Sequence, residues 1–284
     1  MAPTTLEDTI TLGDRRVSRL GFGAMRITGD GIWGPPDDHD EAIAVLRRAV
    51  DLGITLIDTA DSYGPDVSES LIAEALYPYP DDLVIATKGG LVRPGPGQWD
   101  PDGRPEHLRE VCEGSLRRLR LDRIHLYQFH RPDPQVPFEE SVGTLAELQK
   151  EGKIAHVGLS NVTVDELRRA QDIVPIASVQ NRYNIVERKD EDVLQACEGG
   201  GLAFIPWLPL NTGKVGKTSV VTDVAQAHDA TPAQVALAWL LRHSSAILPI
   251  PGTSSVAHLE ENVAAVGLQL TDDEMASLDH VGER

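Results

Sequence analysis

The chain has 284 residues, 41% of them hydrophobic and 25% charged, a globular balance that excludes an intrinsically disordered protein. Its formal net charge is -18, with no block of consecutive basic residues. That argues against nucleic acid or anionic membrane as a main partner, because both are held by clustered Lys and Arg.

Cys112 and Cys197 fall in expected helices and form neither a CxxC pair nor a disulfide framework, which suits a reducing cytoplasm. The opening Met1–Asp8 lacks the basic and apolar blocks of a secretory signal, and no apolar run is long enough to span a bilayer. The expectation is a soluble cytoplasmic protein.

In chain order, Thr9–Val17 is two short runs around Gly13-Asp14, read as a β-hairpin that closes the bottom of a barrel. Strand-like runs follow at Arg19–Gly23, Thr55–Asp58, Leu83–Thr87, Ile124–Phe129, Ile154–Leu159, Ala177–Gln180, Leu202–Trp207 and Ala246–Pro249. They lack strict polar alternation, as parallel strands buried on both faces do. Helices separate them. Ala42, Val45, Leu46 and Ala49 mark one apolar face, and Phe138, Val142 and Leu145 another. Thr231-Pro232 is a cap followed by proline at the first helical position, opening an apolar stretch Val235–Leu241 expected to be buried. Another helix follows Thr271. No linker interrupts the series, so residues 1–284 read as one domain. Eight strand–helix units predict an α/β fold of the (β/α)8 TIM-barrel type, with a doubly wound open sheet as the rival.

The chemistry-bearing residues stand where these strands end. In order they are Ala24-Met25, Asp58 with Tyr63, Lys88, His130, Ser160-Asn161, Gln180-Asn181, Trp207 and the run from Gly252 to Ser255. A barrel brings such ends to one mouth. Taken singly, each has a plainer explanation: Asp58 as a helix cap, Ser160-Asn161 as the N-cap of a helix starting near Thr163, Trp207 as a core tryptophan. Their shared register favours a site. Asp, Tyr, Lys and His together can deliver a proton, provided a nearby cation makes the tyrosine anion easier to form. Lys88 and Tyr63 are poor metal ligands and no HxH pair appears, so no metal is expected there.

At these positions the chain resembles the aldo-keto reductase superfamily, from end to end. The matching segments are Gly21–Met25, Ile57–Gly64, Ala86–Lys88, Tyr127–His130, Gly158–Asn161, Val179-Gln180, and Ile250–Gly252 running on to Glu261-Asn262. Tyr63-Gly64-Pro65 and Ile250–Leu259 are most similar to the branch of bacterial pyridoxal reductases. The resemblance implies a catalytic tetrad of Asp58, Tyr63, Lys88 and His130. It also implies NADPH-dependent reduction of aldehydes or ketones, with Tyr63 as general acid. Cofactor contacts are implied for Ala24, Met25, Asp58, Ser160, Asn161, Gln180, Trp207, Leu208 and Leu210. Further along they are implied for Gly252, Thr253, Ser254, His258, Glu261 and Asn262.

Relatives specific for NADPH often carry Lys and Arg where Gly252 and His258 stand, so NADH is also expected to be accepted. Thr253, Ser254, Ser255 and the helix amides they precede remain as phosphate ligands. Trp33, Trp99 and Arg131 are candidates for the substrate pocket, and the 22 residues after Asn262 suggest an open site. The expected partner is a small-molecule carbonyl compound; the oligomeric state is not legible. The alternative function is a cofactor-sensing regulatory subunit, similar to the potassium-channel β-subunits of the same superfamily.

Overall fold

A computed structural model describes Leu6 and residues 8–282, so most of the Met1–Asp8 segment lies outside the described residues. A hairpin of β1 (Thr9–Leu12) and β2 (Arg15–Ser18) leads into β3 (Phe22–Gly23), α1 (His39–Asp51), β4 (Leu56–Asp58), α2 (Val67–Leu76) and β5 (Val84–Gly89). A small ribbon, β6 (Leu91–Val92) with β7 (Asp100–Pro101), precedes α3 (Pro105–Leu119), β8 (Ile124–Phe129), α4 (Phe138–Lys150), β9 (Ile154–Ser160) and α5 (Val164–Gln171). Then come β10 (Ile176–Gln180), α6 (Glu191–Gly200), β11 (Ala203–Phe204), α7 (Ser219–Ala227), α8 (Pro232–His243), α9 (Val256–Ala264) and α10 (Asp272–Asp279).

Seven strands form one parallel sheet in the order β11-β10-β9-β8-β5-β4-β3. Two apolar clusters flank it. One unites the helices with the sheet and includes Ala42, Val45, Leu46, Ala49, Val142 and Leu145, the faces expected from helical spacing. The other holds Leu56, Val84, Ala86 and Leu126 from the strands, together with Leu12 and Val17 of the hairpin and Leu248 and Ile250. The hairpin therefore packs against residues at or near the starts of β4, β5 and β8.

The expected eighth strand, Ala246–Pro249, is not a strand among the described residues. It makes one isolated parallel bridge, Ile247 to Phe204. The cause is chemical: Pro249 and Pro251 have no N–H to donate. What remains is acceptance. Gly21 N–H donates to the Pro249 carbonyl at 2.9 Å, and Gly23 N–H to Pro251 at 3.4 Å. On the other side Phe204 N–H donates to Ala246 and Leu248 N–H to the Phe204 carbonyl, both at 2.8 Å. Backbones approach closely here, since a Cβ on Gly23 would stand 2.6 Å from the Ile250 carbonyl oxygen and one on Gly252 2.6 Å from that of Gly23. Proline also shortens the expected Leu202–Trp207 strand to Ala203–Phe204, just before Pro206.

Other local expectations hold. Thr231 caps α8 through a capping box with Gln234 and Pro232 at the first position; of the stretch Val235–Leu241, Val235 to Leu240 are buried and Leu241 is half-buried. Thr271 caps α10 in the same way. Both cysteines are buried and free, in α3 and α6. The Ser160-Asn161 cap is overturned: α5 is capped by Thr163 with Glu166, which frees Ser160 and Asn161 for other contacts.

Candidate active site

Asp58 ends β4 and Lys88 lies one strand over in β5, whose register pairs Asp58 with Ala86. Lys88 is fully buried, and its Nζ donates to Asp58 Oδ1 at 2.5 Å, to the Thr59 carbonyl at 2.8 Å and to Tyr63 OH at 3.5 Å. The second oxygen of Asp58 accepts from Gln128 Nε2 at 2.8 Å and Gln180 Nε2 at 2.9 Å. Asp58 thus caps no helix; it anchors an ammonium. Donors from three strands converge on one carboxylate, the compensation a buried charge requires.

The Tyr63 ring stands edge-on to His130, with centroids 5.9 Å apart, and edge-on to Trp99 at 6.3 Å. His130 follows β8; its Nδ1 lies 3.4 Å from Ser62 Oγ. Asn161 holds the far side. Its Nδ2 donates to the His130 carbonyl at 3.1 Å and to Ser160 Oγ at 3.0 Å, while its Oδ1 accepts from Trp207 Nε1 at 3.1 Å. Asn161 and Leu208 both adopt left-handed backbone, with φ of 59° and 53°. Leucine at such a φ is an outlier, the kind of strain that collects at working sites.

These groups face a cavity of about 630 Å³. Of the expected residues, Met25, Asp58, Tyr63, His130, Ser160, Asn161, Gln180, Trp207, Leu208, Leu210, Gly252, His258, Trp99 and Arg131 line it. Lys88 lies behind Tyr63, and Ala24 is fully buried. Thr253, Ser254, Glu261 and Asn262 do not line the cavity. Glu261 is committed elsewhere, its Oε1 accepting from Thr231 Oγ1 at 2.6 Å. The Val256 amide at the start of α9 is also taken, by Glu41 Oε1 at 3.0 Å, so one of the helix amides expected for phosphate already faces a carboxylate.

Trp33 is corrected. It does not line the cavity; its ring lies against Arg93, whose guanidinium carbon is 5.6 Å from the Trp33 centroid and 3.5 Å from that of Trp99. Arg93 also donates to the carbonyls of Ile32, Ser62 and Gln98 at 2.9, 3.0 and 2.8 Å, fastening two loops beside the tyrosine. Neither Arg93 nor Gln128 was singled out from the sequence. Gln128 stood inside a recognised segment, and the solitary arginine after β6 carried no signal.

Burial pushes the Tyr63 phenol above its ordinary value; the Lys88 charge pulls it down and does not win. The expectation of a cation-lowered tyrosine is therefore met in its geometry and outweighed by desolvation. Burial also works against the Lys88 charge, but Asp58 and Tyr63 outweigh it and hold the amine above the usual lysine range. Burial first, then Lys88 and Arg131, pushes His130 well below its ordinary value, so its imidazole is neutral at physiological pH. The cluster thus keeps a protonated phenol between a fixed ammonium and an uncharged imidazole.

A family model described as the aldo/keto reductase family matches residues 19–283. An uncharacterized oxidoreductase of Schizosaccharomyces pombe is 52% identical over 276 residues, covering 97% of this chain and 90% of that protein. Pyridoxine 4-dehydrogenase of Escherichia coli is 45% identical over 281 residues, covering 96% and 98%. It agrees with the branch the sequence suggested. Among solved structures, an aldo-keto reductase of Klebsiella pneumoniae in complex with NADPH superposes with a TM-score of 0.81 at 29% identity, covering 96% of this chain and 94% of that one. On the extent of the match and the identity of these relatives, the chain belongs to the aldo/keto reductase family.

Proposed function

We propose that the protein reduces aldehydes or ketones to alcohols with NADPH, with NADH also accepted and pyridoxal as the leading substrate. The observation that carries this reading is the buried line from Asp58 through Lys88 to the Tyr63 hydroxyl, ending beside neutral His130 on the cavity wall. The Klebsiella pneumoniae relative holding NADPH supports the cofactor, and the Escherichia coli pyridoxine 4-dehydrogenase supports the substrate class.

The residues present fit a nicotinamide. Gln180 spends its Nε2 on Asp58 and on Gln128, leaving Oε1 as an acceptor for a carboxamide N–H. Ser160 adds a hydroxyl and Trp207 an aromatic face on the same wall. Met25, Leu208, Leu210, Gly252 and His258 continue the cofactor surface; Ala24 supports it from behind. Thr253, Ser254, Glu261 and Asn262 stay in the proposed set for the far end of the cofactor. When bound, NADPH supplies the hydride that adds to the carbonyl carbon. Tyr63 donates its proton to the oxygen as negative charge develops there. Lys88 stabilises the resulting phenolate, Asp58 keeps Lys88 charged and in place, and His130 orients the carbonyl oxygen as a neutral hydrogen-bonding partner. Trp99 and Arg131 border the substrate.

The same reading takes the chain as one domain, a (β/α)8 barrel whose eighth stave is the segment 246–251 and whose bottom the hairpin closes. Hydrogen bonds from that segment to both β11 and β3 neighbours support closure, as does the shared inner cluster of Leu12, Val17, Leu248 and Ile250. Among the described residues no helix is long and apolar enough to cross a membrane; a cytoplasmic setting belongs to the proposal.

Tyr63→Phe tests it. NADPH should still bind, read by quenching of protein fluorescence, while turnover of pyridoxal falls by ~10²–10⁴-fold. Parent-level turnover in that variant would overturn the assignment of Tyr63 as the acid.

A further inference from the structure

At the opposite end of the strands from the cavity, three side chains meet that the reaction does not use. His125 is the second residue of β8 and His156 the third of β9. His130 stands five positions beyond His125, about 16 Å along a strand. Asp14, at the hairpin turn, lies across both rings. Its Oδ1 is 2.9 Å from His156 Nε2 and 3.6 Å from His125 Nε2. The two rings stand 5.0 Å apart between centroids. Ligand atoms from the three residues all fall within 4.8 Å of one another.

We propose that Asp14, His125 and His156 form a binding site for a divalent transition-metal cation, of which zinc is the representative, pinning the N-terminal hairpin to β8 and β9.

Three features favour a cation there. Nitrogen and carboxylate donors are the set that zinc takes, and bonds of about 2.0–2.2 Å put the donors of a tetrahedral ion roughly 3.3–3.6 Å apart. The Asp14–His125 separation of 3.6 Å already fits this, and the Asp14–His156 contact of 2.9 Å would open slightly. The corner also offers a further oxygen acceptor: the Leu12 carbonyl lies 3.3 Å from His125 Nε2. The Asp14 N–H, which donates to His156 Nε2 at 3.3 Å, must turn from that nitrogen when it binds an ion. Arg15, next to Asp14 in sequence, spends its guanidinium on the Asp81 carbonyl at 2.9 Å. Finally, the turn is shaped to the ring: a Cβ on Gly13 would stand 2.4 Å from His156 Cδ2. The side chains of His125 and His156 are 17% and 24% exposed, open enough for an ion to enter and for water to complete its shell.

Untagged protein stripped with EDTA should take up zinc chloride alone, or cobalt chloride alone, at one saturable site, with a rise in Tm and the visible bands of imidazole-bound cobalt. Magnesium should not reproduce this, since it demands an oxygen shell. His156→Gln keeps an amide able to hydrogen-bond with Asp14 but removes the imidazole. It should lose the metal-dependent rise in Tm, with affinity down by ~10²-fold or more. His125→Ala and Asp14→Asn should behave alike, and His228→Ala, which breaks a separate pair with Glu274, should bind zinc as the parent does. Anomalous scattering from zinc-soaked parent crystals locates the ion without any variant. Absence of saturable uptake, uptake undiminished in His125→Ala and His156→Gln combined, or an ion found elsewhere would overturn the proposal.

Discussion

Gln128 lies directly across from Lys88 in the β5–β8 register, and both side chains end on Asp58, the amide on Oδ2 and the ammonium on Oδ1. One strand thus supplies the charge that the carboxylate pairs with, and its neighbour the neutral donor that occupies the other oxygen. Gln128→Leu should leave Asp58 Oδ2 with Gln180 alone. Hydrogen bonds to buried charged groups contribute about 1.5–3 kcal/mol, so urea denaturation should show a loss in that range. Turnover should fall with it, because a loosened Asp58 no longer fixes Lys88 beneath Tyr63. A variant of parent stability would show that Gln180 alone suffices.

The pH profile of carbonyl reduction follows from two displaced groups. Tyr63 must keep its proton to act as an acid, and burial raises its pKa above the ordinary value of about 10. His130 stays neutral until far below its ordinary pKa of about 6.5. The kcat/KM for reduction should therefore be level between roughly pH 7 and 9 and fall only above about pH 10. An inflection near pH 6.5 that disappears in His130→Gln would contradict the neutral imidazole.

Asp61 is a buried carboxyl whose Oδ1 has no hydrogen-bond partner among the described residues, and burial, then Glu69, raises its pKa well above the ordinary range. The unfolded chain releases this proton first. Stability contributed by the protonated form is thus present at acid pH and is lost as pH rises through the raised folded pKa. Asp61→Asn should raise Tm at pH 8, with the difference from the parent shrinking as the pH is brought towards 4. A variant that melts lower at pH 8 would mean that the ionised carboxylate is stabilised by its surroundings.

Glu41 accepts from the first amide of α9, where a negative side chain is favourable and a second anion is not. If the far end of NADPH reaches this helix, Glu41→Gln keeps an acceptor and removes the repulsion. The KM for NADPH should drop by ~2–5-fold relative to that for NADH, the equivalent of ~0.3–1 kcal/mol for a charge at a helix end. Equal effects on the two cofactors would place the phosphate away from Glu41.

Much of this was readable from residue order, and what was not has definable causes. Ile124–Phe129 was expected and found with the same limits, because Ile124, Leu126, Tyr127 and Phe129 concentrate apolar and aromatic residues in a run too short for a helix. The tetrad came together because residues at the ends of parallel strands share one rim. Gln128 escaped notice because its role depends on the register between strands, which a linear pattern does not contain. His125 and His156 escaped for the same reason: they are 31 residues apart and become neighbours only through the β8–β9 pairing. Trp33 failed differently. Loop aromatics carry no periodicity, and Arg93, whose guanidinium carbon lies 5.6 Å from the Trp33 ring centroid, announces itself only in three dimensions.

The proline-bearing segment 246–251 can also be considered as a guard against misassembly. A regular strand at that position would expose a ladder of donors and acceptors to any other chain whenever the sheet breathed open. Pro249 and Pro251 remove the donors, leaving carbonyls whose observed takers are Gly21 and Gly23. Such an edge resists both register slip and templating by a second molecule.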